Sequence, residues 1–299
     1  MMEDIAIDVR KDESVVLREK IRSYFELTKP RIAFMLVLTA AAGFYLGSTN
    51  FDSLLFLRSI LGITLLAFGT AALNQYIERK SDALMERTAS RPLPSGRLAG
   101  KEALLFGIIL CVLAELILFI AVNTLTGILG LLVIVGYVFL YTPLKRLTTL
   151  STVVGAFPGA MPPLMGWTSA ADQISIQAWI LFAIIFFWQF PHFLSIAWIY
   201  KDEYSKAGIK MLPVVDKDGR LTVRQVIIFT FLLIATSIIP FLLGMTGTLY
   251  LIAAISFGAY FLYCSLEMAR KKSTAAARKV LIASILYLPL IFALMVINH

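Results

Sequence analysis

The chain has 299 residues, 59% of them hydrophobic and only 15% charged, and its mean hydropathy is +0.82. A soluble domain of this size carries about a quarter charged residues, so the composition excludes one and implies apolar side chains turned to lipid. A net charge of +8 raises nucleic acid as a partner, but the charges are distributed as membrane orientation requires, and no nucleic-acid partner is expected.

Residues 1–25 mix acids (Glu3, Asp4, Asp8, Asp12, Glu13) with bases. They have neither the apolar core of a signal peptide nor the acid-poor composition of a transit peptide. They read as a short cytoplasmic arm before a single membrane domain over 26–299. With a window of about nineteen residues, apolar spans fall near 30–48, 54–77, 103–122, 125–142, 150–168, 177–199, 225–244, 247–266 and 280–298. The expected fold class is an all-α integral membrane protein of about nine transmembrane helices. The fifth span is interrupted by Gly155, Pro158, Gly159, Pro162, Pro163 and Gly166. Such breakers persist in a bilayer where neighbouring protein or a cavity satisfies the freed backbone groups. Cys111 and Cys264 both fall within spans, which argues against a disulfide framework.

With a cytoplasmic N-terminus, 26 of the 27 Lys and Arg lie on the inner side, and only Arg58 is near the outer face. This is what the positive-inside rule expects, and it places the C-terminus, Asn298–His299, outside. The outer loops GSTNFDS, VNTLT and GMTGT are short and nearly uncharged. Two inner stretches, 78–102 and 200–224, are long and rich in both signs. They follow the second and sixth spans and so emerge on one face.

In the first stretch Asn74, Glu78 and Asp82 recur every four residues. On a helix they fall within an arc of about 80° and rise roughly 12 Å. One amide and two carboxylates on one face form an oxygen-rich rail suited to Mg²⁺, which takes hard oxygen ligands and keeps waters or substrate phosphates. Asp202 and Glu203 offer a second acidic pair. The bases Arg87, Arg91, Lys145, Arg146, Lys201 and Lys206 suit a polyphosphate that bridges such cations. Each base is also explained as an ordinary charged helix end. The rail is not, because topology rewards bases and is nearly indifferent to acids.

Two further residues stay open between readings. Glu115 lies inside the third span, where a carboxylate is costly and often functional; a protonated, hydrogen-bonded acid is the alternative. His192 lies inside the sixth with Trp188 and Gln189; it is either a packed, hydrogen-bonded residue or a contact to iron or a polar substrate. No nucleophile elbow, Walker loop or dinucleotide fingerprint is present.

The stretch NQYIERKSDALMERTASRPLPSGR (74–97) resembles the first acidic motif of the UbiA-type intramembrane prenyltransferases, and YTPLKR (141–146) resembles their basic motif between helices four and five. The nine-span layout matches as well. ELTKPR (26–31), RTASRPLPSGR (87–97), WQFPHF (188–193) and YKDEYSKAGIKMLPVV (200–215) resemble the heme-modifying branch of that superfamily. Glu78 stands where many members have Asp, and Tyr200 and Tyr204 stand at the two aspartate positions of quinone-forming relatives. The resemblance implies transfer of a farnesyl group from farnesyl diphosphate to a vinyl group of heme B, with water added, giving heme O and diphosphate. It implies Mg²⁺ on Asn74, Glu78, Asp82, Asp202 and Glu203, with diphosphate on the six bases named above. His192, Trp188 and Gln189 become candidates for heme contact, and a downstream heme-modifying enzyme becomes a partner beside membrane lipid. A quinone- or chlorophyll-type prenyltransferase is the alternative, disfavoured by the DEY triplet and WQFPHF. A cation-coupled transporter is a further one, disfavoured because both acidic clusters lie at the inner boundary and not near the midplane.

Overall fold

A computed structural model describes residues 17–299; residues 1–16 of the expected arm lie outside the described residues. Among the described residues, nine long helices follow in the expected order. They are α1 (Pro30–Gly47), α2 (Ser53–Asp82), α3 (Gly100–Val122), α4 (Thr124–Leu144) and α5 (Ser151–Ala171), then α6 (Ile176–Ile199), α7 (Arg220–Leu242), α8 (Thr248–Lys271) and α9 (Thr274–Ile297). A shorter helix over residues 17–27 precedes them. Several starts are set by a side chain that satisfies free backbone donors. Asp52 accepts from Leu54 and Leu55 at 2.9 and 3.0 Å. Asn123, Ser175 and Ser273 do the same for α4, α6 and α9.

Eight of the nine are long and apolar enough to cross a membrane, and α5 is the exception. It stays helical across Pro158, Pro162 and Pro163, and 14 of its 21 residues are buried. Its low hydropathy and its continuity have one cause. It is enclosed by α1, α4 and α6, so it meets protein more than lipid and needs small residues more than apolar ones. A methyl group on Gly43 would overlap the Pro163 carbonyl, and one on Gly166 would overlap the Ala40 carbonyl. α1 and α5 therefore pack backbone against backbone. Gly166→Leu should destabilise the protein by about 1–3 kcal/mol or more, as overpacking does, read as a lower melting temperature in detergent.

Successive helices pack side by side around the bundle, and the ring closes where α9 meets α1. At the end carrying residue 82, the loops after α2, α4 and α6 pack on one another. Met85 sits in a small apolar core with Ala197, Ala207, Ile209 and Met211. The Lys210 N–H donates to the Lys145 carbonyl at 2.7 Å. Segments far apart in sequence are thereby brought to one mouth of the bundle.

Candidate active site

α2 continues past its apolar run to Asp82, so the expected rail is a real helix face. Asn74 and Asp82 are only 1% and 2% exposed. Polar groups buried this deeply need partners, and each has one. The Lys29 ammonium donates to Asn74 Oδ1 at 2.8 Å, while Asn74 Nδ2 donates to Thr142 Oγ1 at 3.1 Å. Lys145 Nζ reaches Glu78 Oε1 at 2.6 Å. Arg91 reaches Asp82 Oδ2 at 2.7 Å. Three bases thus face two carboxylates and an amide.

Lys29 is supplied by an unusual turn. It precedes Pro30 and holds a left-handed conformation (φ 48°), which ends the short helix and starts α1. Gln75 Nε2, one residue past Asn74, fixes the turn by donating to the Leu27 carbonyl at 2.8 Å. Burial, with the positive charge of Arg91, brings Lys29 down to about 7. Lys145 behaves oppositely. Burial alone would lower it, but Glu78 beside it carries it well above the ordinary lysine range.

Lys145 owes its position to the end of α4, where residues Val135–Tyr141 widen into a π-helical turn. Such turns recur at functional sites. Here Thr142 Oγ1 donates to the Tyr137 carbonyl at 2.7 Å, and the Tyr141 ring lies 4.4 Å from Lys145 Nζ. Thr142 and Lys145 thereby meet Asn74 and Glu78 of α2, while the Tyr141 ring lies against Gly155 of α5.

The second acidic stretch joins through Arg87. Its backbone N–H donates to Glu203 Oε2 and its guanidinium to Tyr204 Oη, both at 3.1 Å. The same guanidinium lies over the rings of Tyr200 and Tyr204, at 4.8 and 5.5 Å. The other expected contacts are looser. Asp202, Lys201, Lys206 and Arg146 are exposed, and Lys201 Nζ lies 5.8 Å from the Trp198 ring.

Deeper in the bundle, His192 stacks on Trp188 with centroids 4.6 Å apart. Both reach α9: His192 Nδ1 bonds Ser284 Oγ, and Trp188 Nε1 donates to the Ser284 carbonyl, each at 2.8 Å. Both rings are half-buried, and the Nδ1 contact leaves His192 Nε2 uncommitted. Gln189 is turned the other way and donates to the Ala156 carbonyl of α5 at 3.0 Å. Both Glu115 carboxylate oxygens are buried without a hydrogen-bond partner. Sequence reasoning had not singled out Lys29, Thr142, Tyr141 or Ser284; the only signal for Lys29 was its place in ELTKPR before a helix-starting proline.

Oxygen donors of this kind fit a magnesium ion. Among the described residues no three His, Cys, Asp or Glu side chains converge as a closed metal site. Mg²⁺ does not ask for one, since it is usually held by one or two carboxylates plus water and substrate phosphate.

A ring of nine helices whose oxygen-rich rail and bases meet at one mouth is the architecture of an intramembrane prenyltransferase. The chain belongs to the UbiA prenyltransferase family, whose model matches residues 36–292. It is 49% identical to a protein named protoheme IX farnesyltransferase from Solibacter usitatus, over 93% of this chain and 99% of that one. It is 42% identical to another of that name from Koribacter versatilis, over 93% and 94%. The fold is similar to a solved structure of digeranylgeranylglyceryl phosphate synthase (TM-score 0.78, 18% identity, 94% of this chain and 98% of that one). It is also similar to a UbiA homolog from Archaeoglobus fulgidus bound to DMAPP and Mg²⁺ (TM-score 0.70, 19% identity, 91% and 99%).

Proposed function

We propose that this prenyltransferase moves a farnesyl group from farnesyl diphosphate to a vinyl group of heme B, with addition of water, giving heme O and diphosphate. The observation that carries the proposal is the α2 rail paired with Lys29, Arg91 and Lys145 at the inner mouth. Relatives over 40% identical across nearly the whole chain carry the protoheme farnesyltransferase name, which favours heme B as the acceptor.

Asn74, Glu78, Asp82, Asp202 and Glu203 would hold Mg²⁺, which supplies charge stabilisation to the diphosphate oxygens. In this reading Lys29, Arg91 and Lys145 turn from the rail's oxygens to the anion, so a ready set of donors meets the charge released on the leaving group. Arg87, fixed by Tyr200, Tyr204 and Glu203, closes the mouth over it. The apolar helix ring keeps the allylic carbon and its tail away from water until the vinyl carbon attacks. On α6, His192 lies about 12 Å and Trp188 about 18 Å from Tyr200, depths suited to a porphyrin beneath the diphosphate.

Purified protein given Mg²⁺, labelled farnesyl diphosphate and either heme B or an aromatic acid should place label in the heme alone. The product mass should rise by a farnesyl group plus a hydroxyl, the remaining proton of water leaving with diphosphate, and chelation of Mg²⁺ should stop the reaction. Label in the aromatic acid would overturn the assignment. His192→Ala should weaken heme binding and shift its absorption spectrum while leaving diphosphate affinity unchanged; an unchanged spectrum would make the Ser284 contact purely structural.

The mouth is proposed to face the cytoplasm of a bacterial cell, with the C-terminus outside. Asn50→Cys and Gln173→Cys, at exposed positions beyond the opposite helix ends, should react with an impermeant thiol reagent in intact cells. Ser95→Cys should not.

A further inference from the structure

The helix over residues 17–27 has two unlike faces. Its inward face is tied to the start of α3 and to the loop before it. Ser23 and Leu27 are fully buried, Tyr24 packs on Phe106 with centroids 4.9 Å apart, and Lys20 pairs with Glu102 at 2.6 Å. Arg97 bridges Glu26 at 2.6 Å and the Ser90 carbonyl at 2.7 Å. The outward face carries Leu17, Ile21 and Phe25, spaced four residues apart and each 60% or 61% exposed. A stripe this apolar is costly to leave in water.

The stripe does not stand alone. Phe106, which holds Tyr24, is followed along α3 by lipid-facing Ile108 and Ile109 and preceded by Leu105, all exposed. Ile32 and Phe34, in the first turns of α1 that follows the helix, are likewise exposed. Exposed bases rim it: Arg18 and Arg22 on the helix, with Arg31 and Lys101 at the starts of α1 and α3. Among the helix's own charges, Glu19 is the opposing one, since Glu26 is engaged by Arg97 and Arg22. An apolar stripe edged with arginine is how a helix lies in the membrane interface beside anionic headgroups.

We propose that the 17–27 helix is an interfacial foot that seats Leu17, Ile21 and Phe25 in the bilayer and sets Arg18 and Arg22 against anionic lipid phosphates. The foot runs directly into the Leu27–Lys29 turn held by Gln75, so its seat in the membrane adjoins the base on Asn74.

A nitroxide on Ile21→Cys tests this, since Cys111 and Cys264 are buried. In phosphatidylglycerol nanodiscs the label should collide readily with oxygen and poorly with a water-soluble nickel chelate. Each base near the surface strengthens partitioning by roughly fivefold. Arg18→Gln with Arg22→Gln should therefore lower the ratio of immersed to water-exposed label by roughly 25-fold. Phosphatidylcholine nanodiscs should weaken immersion in the same direction. Nickel access in phosphatidylglycerol would overturn the proposal, and equal immersion in both lipids would overturn its anionic part. Spin–spin broadening between labels would assign the stripe to a second copy of the chain instead.

Discussion

Asp82→Asn should lower prenyl transfer by roughly 10²–10³-fold, the loss typical of removing one preorganised electrostatic group from an active site, while leaving the helices folded. Asp82 is 2% exposed and bonded to Arg91 at 2.7 Å, so it is held where its charge acts at low dielectric. Asparagine keeps the shape and an oxygen for Arg91 but removes the negative charge. Arg91 keeps 28% of its side chain exposed and can hydrate, so the stability cost stays below that of a sealed ion pair. Asn74→Ala should lose activity to a similar extent, because it frees both Lys29 and Thr142. Transfer rates at limiting Mg²⁺, taken with melting temperatures, separate the two effects. Near-normal turnover of either variant would refute the metal assignment.

How far this arrangement could be foreseen depends on the range of the interaction. The nine helices were legible because a bilayer demands about twenty apolar residues per crossing, a pattern contained in each stretch. The rail was legible because three polar residues four apart share one helix face wherever that helix sits. What the rail binds within the protein was not. Lys145 and Glu78 are 67 residues apart, and only the π-helical turn before Thr142 aims one at the other. Lys29 reaches Asn74 through a left-handed backbone that disfavours any residue with a side chain. α5 looked interrupted because hydropathy assumes a lipid neighbour, whereas its prolines and glycines face α1, α4 and α6. Gln189 and His192 lie three residues apart in one motif, yet the first packs against α5 and the second reaches Ser284 on α9. Helix rotation decides that difference, and apolar composition on every side gives no periodicity from which to read it.

Lys145→Met should reduce transfer by about 10²-fold or more, and a double substitution reveals whether the reason is chemical or structural. Lys145 and Glu78 keep only 16% and 13% of their side chains exposed. Removing the lysine alone leaves a carboxylate short of water and of its partner, which costs about 3–5 kcal/mol for a buried pair and less here because of that residual exposure. Glu78→Gln alone strands the ammonium against Tyr141 in the same way. Combining the two removes both charges, and replacing a buried pair by uncharged groups of similar size is often close to neutral. The double variant should therefore recover most of the melting temperature lost by either single one. Its activity should remain low, because the donor facing the leaving group and one rail oxygen charge are both gone. Recovery of stability and turnover together would mean that the pair only holds α4 against α2, and that the diphosphate is gripped elsewhere.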